Sequence, residues 1–217
     1  MGERKGNPYG QWVFADENPG TISVHYSGTA RNIAENLGRM EADGAFVAAA
    51  GDDFVGRGAK RELEELSVDT SEFHLIDGQN TAMHIEILNL VGDLELAVGN
   101  WDVHKCMDEK RMETAMDKLN DSKIIAVDAV MSEEGLSYLI EHAKAPLFLD
   151  PASVTDAETC KDLIGKFHTI APNRAEAAAL SDLEIFSEDQ LMEAGKWFAD
   201  KGVKRIFITM SGGGAYY

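Results

Sequence analysis

Residues 27–38, SGTARNIAENLG, join a turn of small residues to an amphipathic helix. Gly28 has no Cβ, and Ser27 and Thr29 are good N-cap residues, so a ligand can approach the backbone amides at the start of this helix. The apolar positions of the helix share one face, which leaves Asn32 free to point elsewhere. Taken alone, this pattern is more typical of a packing turn than of a binding site. The remainder of the chain decides between the two interpretations.

Length and composition predict one large globular domain over residues 1–217. The chain is 44% hydrophobic and contains no apolar run near the ~20 residues that cross a bilayer. The N-terminus lacks the apolar stretch of a signal peptide, which predicts a cytoplasmic protein. The net charge of −18 argues against nucleic acid and against anionic membranes as partners. Cys106 and Cys160 lack metal-ligand spacing, and we expect free thiols.

Short apolar runs alternate with helical patterns along most of the chain. Strands are expected at 45–50, 73–76, 123–129, 146–150, 168–171 and 203–209, and helices after residue 28, after residue 53 and at 108–119, 132–143, 156–167, 174–180 and 188–201. This rhythm predicts an α/β fold with a doubly wound, mostly parallel sheet and helices on both faces.

A second pattern interrupts this rhythm. Residues 81–89 and 94–98 alternate apolar and polar side chains around a turn, which predicts an antiparallel hairpin with one solvated face. Two further extended pieces, 11–15 and 21–26, suggest another small hairpin. We expect residues 11–26 and 81–98 to form a small β lid outside the main sheet.

Polar residues and glycines collect where the predicted strands end. In open α/β sheets, ligands bind beyond the carboxyl ends of the strands. The residues found there are Gly51-Asp52-Asp53, Asp128, Asp150-Pro151-Ala152-Ser153, Pro172-Asn173-Arg174-Ala175-Glu176 and Thr209-Met210-Ser211-Gly212-Gly213-Gly214. Carboxylates, amides and glycines suit a polyhydroxylated substrate and a magnesium-bound phosphate.

Several of these residues have an equally good structural interpretation. Asp53 could cap the helix that follows it, and Asn173 with Glu176 could form a capping box. Asp150-Pro151 could simply end a strand. The six histidines are scattered, and we expect surface or satisfied core positions for each; His84 alone falls on the polar face of the predicted hairpin.

The order of these motifs resembles the ribokinase-like, PfkB-type carbohydrate kinase family, and within it the pseudouridine kinases most. Residues 27–34 are similar to the family's Gly-Gly-x-x-x-Asn-x-Ala segment, and residues 51–56 to its Gly-x-Asp-x-x-Gly turn. Residues 172–176 resemble its Asn-x-x-Glu motif, and residues 209–214 its Thr-Leu-Gly-x-x-Gly turn. Residues 81–98 resemble the lid that closes over substrate.

The resemblance implies an ATP-dependent kinase that phosphorylates a primary hydroxyl group of a sugar or nucleoside, with pseudouridine or a ribose-like compound as the expected acceptor. It implies ATP and Mg²⁺ as cofactors. The implied substrate-binding residues are Gly28, Asn32 and Asp53, and the implied metal-organising residues are Asn173 and Glu176. The implied nucleotide-binding residues are Asn173, Thr209, Ser211, Gly212 and Gly214.

The chain departs from the family pattern in four places. Ser27 and Ser211 stand where glycines are usual, and Asp156 stands where the pseudouridine kinases often have lysine. A first strand ending in a substrate-binding aspartate is not visible before residue 18. The Gly-Ala-Gly-Asp segment that supplies the family's catalytic base is not in the printed sequence, so the catalytic residue is unknown and we expect a C-terminally incomplete domain.

Two hypotheses follow. The first is a kinase, or a shortened version of one. The second is a non-catalytic ligand-binding or oligomerising relative, in which a homodimer forms through the β lid. A doubly wound nicotinamide enzyme is a poor third alternative, because no predicted strand is followed by a Gly-x-Gly-x-x-Gly fingerprint.

Overall fold

A computed structural model describes residues 16, 18, 20–89 and 91–217. Its helices are α1 (Thr29–Arg39), α2 (Phe54–Glu65), α3 (Glu109–Asn120), α4 (Glu133–His142), α5 (Val154–Cys160), α6 (Arg174–Ser181) and α7 (Glu188–Asp200). Its strands are β1 (Ala48–Gly51), β2 (Phe73–Ile76), β3 (Met83–Leu88), β4 (Leu94–Asn100), β5 (Ile125–Asp128), β6 (Leu147–Asp150), β7 (Thr169–Ile170), β8 (Arg205–Ile206), β9 (Ile208–Thr209) and β10 (Ala215–Tyr216). Short 3-10 helices cover Asp102–Cys106, Lys161–Lys166 and Ser211–Gly213.

The main sheet is parallel and has the strand order β5-β6-β7-β8. Leu149 of β6 and Ile170 of β7 are fully buried at its centre, and Ile208 of β9 is buried in the same core. Phe167 and Phe198 pack into the same core from beside the sheet. Strands with helices between them must run parallel, and their carboxyl ends then lie along one edge. The predicted α/β fold is confirmed.

A second, two-stranded parallel sheet pairs β1 with β2. It has its own apolar cluster, in which Leu63 of α2 is fully buried and the rings of Phe46 and Phe73 meet edge to face at 5.3 Å. Helix α1 contributes Ala34 to this cluster. The strand predicted at 45–50 is observed at Ala48–Gly51, so it is shorter than predicted. Ala45 makes only an isolated bridge with Asp69.

Side chains fix the start of nearly every helix. The side chain preceding each of α2 to α7 accepts a hydrogen bond from a backbone amide of the first turn, from Asp53, Asp108, Ser132, Ser153, Asn173 and Ser187. Such caps satisfy amides that have no partner within the helix. Helix α1 differs, because Gly28 at its start has no side chain to cap it.

Strands β3 and β4 form the predicted antiparallel hairpin, with Ile85 opposite Val98 and Ile87 opposite Leu96. The prediction that one face would be covered is wrong. Ile85 is 56% exposed and Val98 is 60% exposed, and both faces of the hairpin are open. Alternation in sequence shows which residues share a face but does not supply an element to cover that face.

Three further predicted elements differ in the structure. The strand expected at 21–26 does not form, whereas the one expected at 11–15 lies outside the described residues and stays a prediction. The helix expected at 156–167 begins at Val154 and ends at Cys160, and a 3-10 helix completes the segment. The strand expected at 203–209 is divided at Phe207 into β8 and β9. No described helix is long and apolar enough to span a bilayer.

Candidate functional site

Two aspartates stand side by side at the carboxyl edge of the main sheet. Asp128 ends β5, Asp150 ends β6, and the strand register pairs them directly. Burial raises the pKa of Asp150, and the neighbouring Asp128 carboxylate raises it further, against a lowering effect of the hydrogen bond from the Ala152 amide. Ala152 has a φ of 64°, which is unfavourable for a residue with a Cβ. A buried carboxyl group and a strained turn thus lie together at this edge.

The start of α1 is attached to the same edge. The amide of Ala30 donates to Oδ2 of Asp128 at 3.2 Å, across 98 residues of sequence. Gly28 adopts a φ of 122°, a conformation that residues with side chains rarely adopt. Asn32 is exposed on the next turn of the helix. The structure therefore brings the predicted substrate residues Gly28 and Asn32 to the strand ends.

Arg31, beside Asn32, has a structural role. Its guanidinium is buried and forms ion pairs with Glu35 of the same helix and Glu62 of α2. These pairs tie α1 to α2 and hold the backbone of the first helical turn in position.

Asp53 uses both carboxylate oxygens within the protein. Oδ1 accepts from the Gly56 amide at 2.8 Å, which caps α2, and Oδ2 accepts from the Thr81 amide at 2.8 Å. The Thr81 hydroxyl also donates to Oδ1 at 2.7 Å. Burial raises the pKa of Asp53, but these hydrogen bonds outweigh it and leave the pKa below its usual value. Asp53 thus joins α2 to the base of the β3–β4 hairpin, and its predicted contact with substrate stays a prediction.

Asn173 and Glu176 form a complete capping box at the start of α6. The Asn173 side chain accepts from the Glu176 amide, and the Glu176 carboxylate accepts from the Asn173 amide at 2.8 Å and from its side-chain amide at 2.7 Å. Glu176 is only 5% exposed. Burial raises the pKa of Glu176, and the carboxylates of Asp150 and Asp156 add to that rise. Both predicted metal-organising residues therefore already serve the helix start.

The glycine-rich turn after β9 lies next to Asn173. A parallel bridge pairs Asn173 with Thr209, and the Thr209 amide donates to the Pro172 carbonyl at 2.9 Å. Ser211 and Gly214 have φ angles of 49° and 86°. A Cβ added at Gly212 or Gly214 would meet no atom within 4 Å. The predicted nucleotide residues thus form one exposed turn with free space beside its backbone.

The donor chemistry of this edge fits ATP and Mg²⁺ in part. Exposed backbone of a glycine-rich turn beside a helix N-terminus suits phosphate oxygens, and the carboxylates of Glu176, Asp150 and Asp156 suit Mg²⁺. Within the described ranges, no group of three or more His, Cys, Asp or Glu side chains is arranged to hold a metal ion on its own. A magnesium ion here would need phosphate or water oxygens to complete its shell, as is usual for this metal.

Sequence reasoning missed His104, which lies in the 3-10 helix directly after β4. Its Nε2 atom is buried and has no hydrogen-bond partner among the described residues, so the expectation of a surface or satisfied position is wrong for this histidine. Burial lowers the pKa of His104, while the carboxylates of Asp128 and Asp156 raise it. Its position after the lid strand was the one available signal, since the chain must return there from the lid to the sheet.

Comparison with known proteins gives a consistent result. The sequence pattern of the pfkB family carbohydrate kinases matches residues 11–217. A pseudouridine kinase of Escherichia coli K12 is 28% identical over 205 residues, which are 94% of this chain and 66% of that protein. A guanosine-inosine kinase of Exiguobacterium acetylicum is 26% identical over 204 residues, which are 93% of this chain and 67% of that protein.

The fold has close counterparts among solved structures. A ribokinase of Arabidopsis thaliana, complexed with ribose and ATP, superposes with a TM-score of 0.78 at 17% identity. The superposition covers 90% of this chain and 65% of the ribokinase. The chain thus spans 66% of the length of the pseudouridine kinase and 65% of that of the ribokinase.

Proposed function

Because the chain belongs to the pfkB family of carbohydrate kinases, we propose that it acts as an ATP-dependent phosphotransferase on a primary hydroxyl group of a sugar or nucleoside. A ribosyl compound such as pseudouridine or ribose is the proposed acceptor, in line with the names of the relatives. ATP and Mg²⁺ are the proposed cofactors.

One observation carries the proposal. The start of α1, the Asp128–Asp150 pair, the Asn173–Glu176 box and the turn of residues 209–214 lie along one edge of one sheet. At one end of this edge are carboxylates, which accept hydrogen bonds from hydroxyl groups. At the other end is an exposed glycine-rich turn, which suits phosphates. Such an arrangement holds an acceptor and a nucleotide in line, and positioning is a main source of catalysis in phosphoryl transfer.

The side chains of this chain have separate tasks in the proposed reaction. Asn32 and the backbone at Gly28 orient the acceptor hydroxyl groups, and Asp53 orients the hairpin through Thr81. The turn of residues 209–214 and Asn173 would hold the nucleotide, and the Glu176 carboxylate would help to hold Mg²⁺, which would neutralise phosphate charge. ATP supplies the transferred phosphoryl group when it is bound. We assign no catalytic base, because the carboxylates of Asp53 and Glu176 are already used by backbone amides and that of Asp128 accepts from Ala30.

The same observation supports a second candidate, a protein that binds ligands without turnover. Asp53, Asn173 and Glu176 all cap helices, as they would in a purely structural relative. In this alternative the strand-end residues keep the fold and bind an acceptor without transferring phosphate.

A coupled assay separates the two candidates. ADP formation by the full 217-residue chain should require both Mg²⁺ and a ribosyl acceptor, tested over pseudouridine, inosine, ribose and fructose. ADP formation without any dependence on acceptor would contradict the kinase. Calorimetry completes the test: binding of an acceptor without transfer supports the second candidate, and binding of neither ATP nor acceptor contradicts both.

We also propose a homodimer through the hairpin. Its one apolar face comprises Met83, Ile85, Ile87, Leu96 and Val98. Each of these side chains is at least 36% exposed. The two-stranded sheet has no further strand at either edge among the described residues. A face without charge and two open edges suit a second copy of the same hairpin, related by a twofold axis.

A further inference from the structure

His104 has a buried nitrogen atom without a partner in the part of the chain that the structure describes. Its Nε2 has no hydrogen-bond partner among residues 20–89 and 91–217. Buried polar atoms of native proteins are nearly always paired, because an unpaired one loses its hydration without compensation. An exception calls for a partner outside the chain, such as a water molecule, an ion or a ligand.

The position of His104 is at the junction of the hairpin and the sheet edge. Its ring lies 6.2 Å from that of Trp101, and Trp101 lies 5.6 Å from His84 of β3. The carboxylates of Asp128 and Asp156 are also close enough to act on the charge of His104. Asp128 in turn holds the start of α1. The free nitrogen thus lies among the residues that the proposed function gives to the acceptor.

The surroundings select the kind of group that can reach Nε2. Burial favours the neutral imidazole, which can donate to or accept from a hydroxyl group. The carboxylates of Asp128 and Asp156 place negative charge near His104, which disfavours a phosphate there. The same carboxylates accept hydrogen bonds from hydroxyl groups. The chemistry therefore fits a neutral, polyhydroxylated compound.

We propose that His104 determines acceptor specificity by forming a hydrogen bond between its Nε2 atom and one hydroxyl group of the acceptor. The proposal rests on the proposed function, since it assigns His104 to the same acceptor site. It adds a residue from the 3-10 helix after the lid, which no motif of the sequence indicated.

The test compares two substitutions by calorimetry. His104→Phe keeps a ring and removes the nitrogen, and His104→Gln keeps a polar group at similar reach. His74→Phe is the control, because His74 belongs to β2 of the second sheet and its Nε2 is also buried; that atom has no hydrogen-bond partner among the described residues but lies 3.5 Å from a carboxylate oxygen of Glu72. Each variant is titrated with pseudouridine, inosine and ribose, and then with deoxy analogues of the compound that binds most tightly.

His104→Phe should weaken binding of that compound ~10-fold, the usual effect of one lost hydrogen bond, with partial recovery in His104→Gln and no change in His74→Phe. For one deoxy analogue, the one lacking the contacted hydroxyl, His104→Phe should have no effect. The thermal unfolding midpoint should not fall, because Nε2 has no hydrogen bond to lose within the described residues.

Three results would overturn the proposal. If the native chain binds an acceptor and His104→Phe binds it equally well, the role of His104 is wrong and the proposed function stands. If His104→Phe weakens the parent compound and every analogue by the same factor, the effect is structural. If the native chain binds no compound of the panel, both the role of His104 and the proposed function fail.

Discussion

At the scale of the residue, the carboxylate of Glu176 has two roles. It completes a capping box, and it is the proposed metal-organising group. Burial raises its pKa above the usual 4.5, and Asp150 and Asp156 add to the rise. A raised carboxyl pKa means that the folded state holds the proton more tightly than the unfolded chain. Stability is therefore lost as the pH rises from 4.5 through the folded pKa.

Glu176→Gln should separate these roles. The glutamine carbonyl can still accept from the Asn173 backbone amide, but its NH2 group would face the Asn173 side-chain amide, so one hydrogen bond is lost while no buried charge remains. These effects oppose each other, and we expect the free energy of unfolding at neutral pH to change by less than about 1 kcal/mol, while Mg²⁺-dependent ATP binding weakens at least ~10-fold. Urea unfolding and calorimetry with and without Mg²⁺ measure the two effects. Unchanged nucleotide binding would show that Glu176 is only a cap.

Asp53 gives a prediction with the opposite pH dependence. Its pKa is below the usual 3.8, so its contribution to stability is present above pH 3.8 and is lost as the pH falls through the folded pKa. Asp53→Asn should lower the free energy of unfolding by about 1–2 kcal/mol at neutral pH, because the new amide faces the Thr81 amide donor. The loss should shrink in acid.

The neighbouring Asp52 is the control for this experiment. Its carboxylate forms an exposed ion pair with Arg57 and caps nothing, so Asp52→Asn should change stability by less than about 1 kcal/mol. Urea unfolding at neutral and acidic pH compares the two variants. Equal losses of stability in the two variants, or a loss for Asp53→Asn that does not depend on pH, would contradict the role of the ionised Asp53 carboxylate in joining α2 to the hairpin.

Sequence reasoning reached some of these residues and not others. The capping box at Asn173 and the cap at Asp53 could be predicted, because both depend on residues three positions apart. The hydrogen bonds between Asp53 and Thr81 and the unpaired nitrogen of His104 could not be predicted, because they depend on where the hairpin leaves and rejoins the sheet. Contacts between residues that are 28 or 98 positions apart leave no local pattern in the sequence.

At the scale of the element, helix α2 packs against the end of β1 through a glycine. A Cβ at Gly56 would collide with the Gly51 carbonyl oxygen and would lie 2.8 Å from the Thr81 hydroxyl. Gly56→Ala gains up to about 1 kcal/mol of helix propensity. The overpacking lowers stability by about 1–3 kcal/mol, because the new Cβ clashes with backbone that cannot move aside. We therefore expect a net loss of stability.

Thermal and urea unfolding of Gly56→Ala test this packing. The control is Gly44→Ala, where the added Cβ would lie 3.8 Å from its nearest neighbours in Leu37, an ordinary contact distance. The control should change the unfolding midpoint little. A Gly56→Ala variant as stable as the native chain would mean that α2 shifts away from β1 at no cost.

The elements themselves were predictable to different degrees. The buried parallel strands and their helices followed from short apolar runs, because such runs are typical of strands covered on both faces. The register of the hairpin followed from alternation. The break at Phe207 did not follow, because β9 pairs with β10 while its Thr209 amide still donates to Pro172 after β7, and an apolar run cannot show which neighbours a strand will have.

At the scale of the whole molecule, the exposed hairpin face is the feature that a monomer does not explain. Ile85 lies at its centre, 56% exposed and opposite Val98. A stable interface buries ~800 Å² on each partner. In the proposed dimer, both the side chains of this face and an open strand edge must therefore be part of the interface. Ile85→Glu would place a charge at the centre of the proposed dimer and its copy directly across the twofold axis. Sedimentation velocity should find the native chain dimeric and Ile85→Glu monomeric. Glu86→Gln, on the other face, should leave the dimer intact; a native chain that stays monomeric at high concentration would refute the dimer.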